Sequence, residues 1–193
     1  MAAASSNGPP PQRTGAPAIG AVPAEGLCTG CHSGNPVNTG GSVTLTGAPA
    51  YYTPGAAYTI TVNLASTQNA VTGHVWGFEL TAVKMSDGTG AGTFANVAGQ
   101  GTTIRAGTGS FNTRSYIGQA SAGQRLDVAS PVAWQVSWTA PASAGPVSFY
   151  VVGNAADGDG GDPGDWIYNA SFLSKDVTPT RSSTWGKLKS SYR

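Results

Sequence analysis

The stretch "PVAWQVSWTA", residues 131–140, alternates large apolar residues with small or polar ones at every step. Val132, Trp134, Val136 and Trp138 share one side of an extended chain, because successive side chains of a strand point to opposite faces. A strand with one buried face reads this way. The same habit recurs in "SVTLTGA" (42–48), "AYTITVNLA" (57–65), "HVWGFELTAVK" (74–84), "PVSFYVVGNAA" (146–156) and "DWIYNASFLS" (165–174). Tyr58, Ile60, Val62 and Leu64 line up on one face, and Trp76, Phe78 and Leu80 on another. Turn signals such as Asp87-Gly88 and Ala144-Gly145-Pro146 separate the runs, and no segment keeps a helical apolar period. The expectation is an all-β chain folded as an antiparallel β-sandwich.

Outside these runs the composition changes. Residues 1–41 read as an extended arm, Pro/Gly/Ala-rich up to about residue 26 and with little structure of its own. Residues 42–174 are the sandwich, with a Gly/Thr/Ser-rich middle (88–131) expected to hold long loops and one or two irregular strands. Residues 175–193 form a basic tail without an acidic residue after Asp176. The formal net charge is +1, which gives no footing for nucleic acid or an acidic membrane as partner. No apolar run is long enough for a transmembrane helix. The start lacks the basic and apolar regions of a secretory signal.

The chemistry concentrates in "GLCTGCHSG" (26–34). Cys28 and Cys31 are the only cysteines, and His32 follows the second directly. This is the attachment pattern of a c-type haem: two thiols at that spacing reach the two vinyl groups on one porphyrin edge, and the histidine stands next to the iron. A zinc site would need four ligands, yet His74 is the only other histidine and no second cysteine pair exists. A redox disulfide of this spacing usually opens a helix in a βαβ fold, which is not the pattern here. Haem c, one and covalent, with His32 as proximal ligand is therefore expected. Because such thioethers are made outside the cytosol, the chain is expected to be exported, to a periplasmic or extracellular location, with its signal removed.

Taken together, "GPPPQRTGAP", "CTGCHSG", "GGSVTLTGAPAYYTPGAAYTITV", "WGFELTA", "WTAPASAGPVSFYVVGNAADGDG" and "GDWIY" resemble the bacterial reeler-like, choice-of-anchor V type domain. The likeness runs from about residue 8 to 174. It implies an immunoglobulin-like sandwich in an exported or surface-attached protein, and haem c in members with the Cys-x-x-Cys-His segment. The family pattern also has Tyr-x-x-His-x-x-Ala-Gly, whose histidine would be a second haem ligand. Here that segment runs from Tyr116 to Gly123, and Gln119 replaces the histidine.

Three options remain for the distal side of the iron. His74 is one candidate, and Met85 is a weaker one that would raise the reduction potential. The two lie at opposite ends of one predicted strand, roughly 35 Å apart at about 3.3 Å per residue, so they cannot both approach one haem. The third option is an open position or a ligand from a neighbouring chain. Asp157, Asp159 and Asp162, with Asp165, sit in a glycine-rich loop and are candidate calcium ligands, although the loop lacks EF-hand order. Local turn bonds are the alternative reading of the same residues. Asn169-Ala170-Ser171 matches a glycosylation acceptor inside a predicted strand, a coincidence in this setting. No nucleophile elbow or phosphate loop is present.

These readings lead to an exported monohaem cytochrome that carries electrons between redox protein partners rather than an enzyme. A homo-oligomer or filament built through the N-terminal arm would extend that role. The alternative is a structural or adhesive surface module with an incidental or sensory haem.

Overall fold

The structure, a computed structural model, describes residues 7–67 and 73–177. These residues form ten strands: β1 (Gly41–Thr46), β2 (Tyr51–Tyr52), β3 (Ala57–Ser66), β4 (Val75–Lys84), β5 (Thr93–Asn96), β6 (Thr102–Ala106), β7 (Ser115–Gln119), β8 (Val132–Thr139), β9 (Val147–Ala156) and β10 (Trp166–Asp176). One sheet has the order β1-β3-β8-β5 and the other β2-β10-β9-β4-β7-β6. Neighbours pair antiparallel except β2, which runs parallel to the end of β10. The fold is an all-β sandwich, as the alternation predicts. The middle segment holds three short strands, β5 to β7, where one or two were expected. The last strand reaches Asp176, two residues into the expected tail, and the tail from residue 178 onward lies outside the described residues.

The core is aromatic and joins the sheets. Trp134 on β8 packs on Phe78 of β4, and Trp138 packs on Phe149 of β9, each pair with ring centroids 4.8 Å apart. Both indole nitrogens find carbonyls: Trp134 Nε1 donates to Gly123 O at 2.6 Å and Trp138 Nε1 to Ala91 O at 2.9 Å. Burying an indole without such a partner would cost stability. In β8 the burial follows the sequence, alternating buried and exposed or half-buried positions.

Strands β4 and β9 behave differently, since nearly every residue in both is buried. Their second face is covered by the N-terminal arm, which corrects the expectation of an arm with little structure of its own. Residues 14–27 fold back as a narrow hairpin. Gly15 N donates to Gly26 O, Glu25 N to Ala16 O, and Ile19 and Val22 exchange backbone bonds. Ala16 is fully buried against Val83 and Tyr150, with Ile19 alongside. The described part of the arm is thus a layer of this molecule rather than a free strand for a neighbour.

A buried carboxylate fixes the hairpin. Glu25 Oε1 meets Arg114 Nη1 at 2.5 Å and accepts the Tyr116 hydroxyl at 2.6 Å, while Oε2 accepts the Thr14 hydroxyl at 2.6 Å. Arg114 Nε donates to Gly88 O, and its guanidinium lies 5.3 Å from the Phe111 ring centre. Both side chains of the ion pair are fully buried. Removing one partner of such a pair typically costs about 3–5 kcal/mol, because the other charge stays buried and unpaired. Glu25→Ala is therefore expected to lower stability by that order in denaturant unfolding and to open residues 14–27 to limited proteolysis. An arm that stays protease-resistant in the variant would show that the pair does not hold it.

Candidate functional site

The Cys-x-x-Cys-His segment begins where the hairpin ends. Residues Cys28–Gly30 form one tight 3₁₀ turn, with Cys31 N and His32 N both donating to Cys28 O at 3.0 and 2.8 Å. Cys28, Cys31 and His32 consequently face a single cavity of about 740 Å³, within the size range of cofactor sites. Its floor is the outer face of the six-stranded sheet, with Val75 and Gly77 of β4, Val152, Asn154 and Ala156 of β9, and Gln119 of β7. Leu27, Pro9 and Pro10 from the arm close it, together with Arg13 and Arg105. Both cysteines are free thiols. Burial, with the Glu79 carboxyl nearby, pushes the Cys28 thiol up to about 12.

His32 is held from below. Its Nδ1 lies 2.5 Å from Oδ2 of Asp165, a buried carboxylate that also accepts Asn154 Nδ2 at 3.1 Å and Asp157 N on its other oxygen at 3.1 Å. The contact with Asp165 raises the His32 pKa above the usual imidazole value. It sets Nδ1 against the carboxylate at ion-pair distance, outside hydrogen-bond geometry. A carboxylate on one nitrogen is the usual outer support of a metal-ligating histidine. The backbone adds a clamp: Ser33 N donates to Asp162 O and Gly164 N to Ser33 O at 2.7 Å. In the sequence Asp165 is one more aspartate of a glycine-rich loop. No local spacing ties it to His32, so the one available signal was that a ligating imidazole needs an acceptor.

The other predicted residues fall differently. His74 is buried just ahead of β4, is not among the cavity-lining residues, and its Nδ1 finds no partner among the described residues. Met85 is 39% exposed just past the far end of β4, where its sulfur accepts the Tyr150 hydroxyl. The structure therefore brings neither distal candidate to the cavity. It does bring Gln119. The loop aspartates make local turn bonds: Asp157 Oδ1 accepts Asp159 N and Asp159 Oδ1 accepts Gly161 N. Among the described residues no three carboxylate, histidine or cysteine side chains gather to hold a metal ion by themselves.

No family model matches this chain, and no curated protein does either. Among solved structures it is similar to the reeler domain of human F-spondin, at 18% identity over 75% of this chain and 95% of that one, with a TM-score of 0.44. The Reelin-N domain of F-spondin gives 17% identity over 77% and 96%, with a TM-score of 0.45. A cohesin module from a Clostridium perfringens family 33 glycoside hydrolase gives 12% over 72% and 98%, with a TM-score of 0.40. Among the described residues, no helix is long and apolar enough to cross a membrane.

Beneath the arm, Glu79 of β4 is almost completely buried and accepts Arg13 N at 2.8 Å. Burial pushes its carboxyl up to about 8, with the Arg13 amide and the Arg105 and Arg13 charges opposing and Glu25 adding to the rise. The unfolded chain returns it to the ordinary carboxylate range. Between those values the folded state binds more protons, so this group's contribution to stability falls as pH rises. Glu79→Gln keeps an acceptor for Arg13 N and cannot ionise. Relative to the native chain it should gain stability between about pH 5 and about pH 9, on the order of a few kcal/mol at about 1.4 kcal/mol per pH unit. Denaturant unfolding of both proteins at each pH reads this directly, and an unchanged difference would mean that Glu79 folds already ionised.

Proposed function

We propose that the protein is an exported monohaem c-type cytochrome that carries electrons. The observation that carries this reading is the set of three side chains on one cavity, two thiols and a histidine whose Nδ1 rests on buried Asp165. Cys28 and Cys31 would hold the macrocycle through thioethers, and His32 Nε2 would take the iron. The haem supplies a one-electron couple, and the protein tunes it through axial ligation, burial and hydrogen bonds. Val75, Val152 and Leu27 offer apolar wall, while Arg13 and Arg105 bring cations suited to the propionate carboxylates. Exposed Cys31 keeps one rim of the site near the surface, where a redox partner can approach. With a net charge of +1, encounter would depend on surface fit more than on long-range attraction.

Export follows from the same reading, since the thioethers are made outside the cytosol. Assembly into a larger redox complex is compatible with it, but the described arm is occupied on its own sheet and would not be the joining strand.

The test is expression through an exporting, haem-maturing route, followed by a pyridine haemochrome spectrum and redox titration. One covalent haem is expected, absent from the Cys28→Ala/Cys31→Ala variant. Asp165→Asn removes the negative charge behind His32, which should raise the reduction potential by tens of millivolts, because the oxidised iron loses more stabilisation than the reduced. A native chain without covalent haem would refute the reading. An unmoved potential in Asp165→Asn would refute the role of Asp165.

A further inference from the structure

The distal side of this cavity carries more information than the motif. The whole chain has two histidines and two methionines. His32 belongs to the motif, His74 and Met85 do not line the cavity, and Met1 lies outside the described residues. Among the described residues, then, no second imidazole or thioether reaches the space that His32 faces.

Gln119 does reach it. The residue is 8% exposed and lines the cavity. Its orientation is settled by the sheet. The β4–β7 ladder ends at Glu79 and Gly118, and the next amide along β4, Phe78 N, donates to Gln119 Oε1 at 2.7 Å. An N–H donor there requires the oxygen of the carboxamide, which fixes which end is which. The carboxamide lies over Gly77, where any Cβ would collide with it, so the strand is kept bare beneath it. With Oε1 engaged, Nε2 is left without a hydrogen-bond partner among the described residues. That donor borders the cavity.

The row across the sheet sets the two sides apart. Gly77 pairs with Asn154, which donates to the Asp165 carboxylate that holds His32. Gln119 projects from β7, on the other side of β4 from β9. Two strand spacings separate β7 from β9, roughly 10 Å at the usual interval.

On the strength of the haem reading above, we propose that the iron's remaining coordination position takes a small neutral diatomic ligand, and that Gln119 Nε2 donates a hydrogen bond to it. Gln119 is a positioning residue in this account, and its single committed oxygen keeps it from acting as a ligand itself.

The experiment uses reduced holoprotein and carbon monoxide as the probe, read by visible spectra and by the infrared C–O stretch. Carbon monoxide should shift the haem bands. Gln119→Leu should raise the C–O stretching frequency and weaken binding by roughly 2- to 10-fold, the loss of one hydrogen bond. The native protein's C–O band should also move between H₂O and D₂O, a readout that needs no variant to fold. Carbon monoxide binding with a frequency untouched by Gln119→Leu and by D₂O would overturn the role of Gln119. Covalent haem whose spectrum ignores carbon monoxide would overturn the open position and leave the cytochrome reading standing. Absence of covalent haem would overturn both.

Discussion

The Glu25 carboxylate, buried with Arg114 beneath the N-terminal arm, is the constraint on which the site depends. Charges taken out of water cost several kcal/mol each, and the loss is offset only where geometry and further hydrogen bonds are good. Here the carboxylate also accepts the hydroxyls of Tyr116 and Thr14. That arrangement lays residues 14–27 on the outer face of the six-stranded sheet. It buries the second face of β4 and β9 and delivers Cys28 to the rim of a cavity.

A second buried carboxylate works on the other side of the motif. Asp165 meets His32, and the loop before β10 grips Ser33 through its backbone. The motif is therefore fixed at both ends, by the hairpin before it and the loop after it. A covalently tethered cofactor would meet a preorganised proximal histidine rather than a mobile one, and a fixed ligand orientation helps to set a stable potential. The same sheet that supports Asn154 and Asp165 carries Gln119 two strands away, so both sides of the proposed haem pocket are built on one sheet.

What the sequence reveals depends on whether a residue's environment is local. Strands β3 and β8 face solvent on one side, so Ile60, Val62, Trp134 and Trp138 announce themselves by alternation. The Cys28, Cys31 and His32 set is legible because its chemistry is contained in five consecutive residues. In β4 the second face, with Gly77, Glu79 and Thr81, looks solvated in sequence and is buried under the arm. That burial, like the His32–Asp165 contact and the place of Gln119, comes from segments far apart in the chain, for which spacing gives no signal. The loop aspartates show the converse limit. Carboxylates among glycines suit either a cation or local turn bonds, and the structure holds the turn bonds from Asp159 N and Gly161 N.

Anomalous diffraction at the iron edge, from crystals of the exported and haem-matured protein, tests the central claim most directly. The account predicts a single iron peak inside the cavity, at coordination distance from His32 Nε2, with continuous density from Cys28 and Cys31 Sγ to the macrocycle. An iron peak elsewhere, or a cavity without iron while His32 still rests on Asp165, would contradict it.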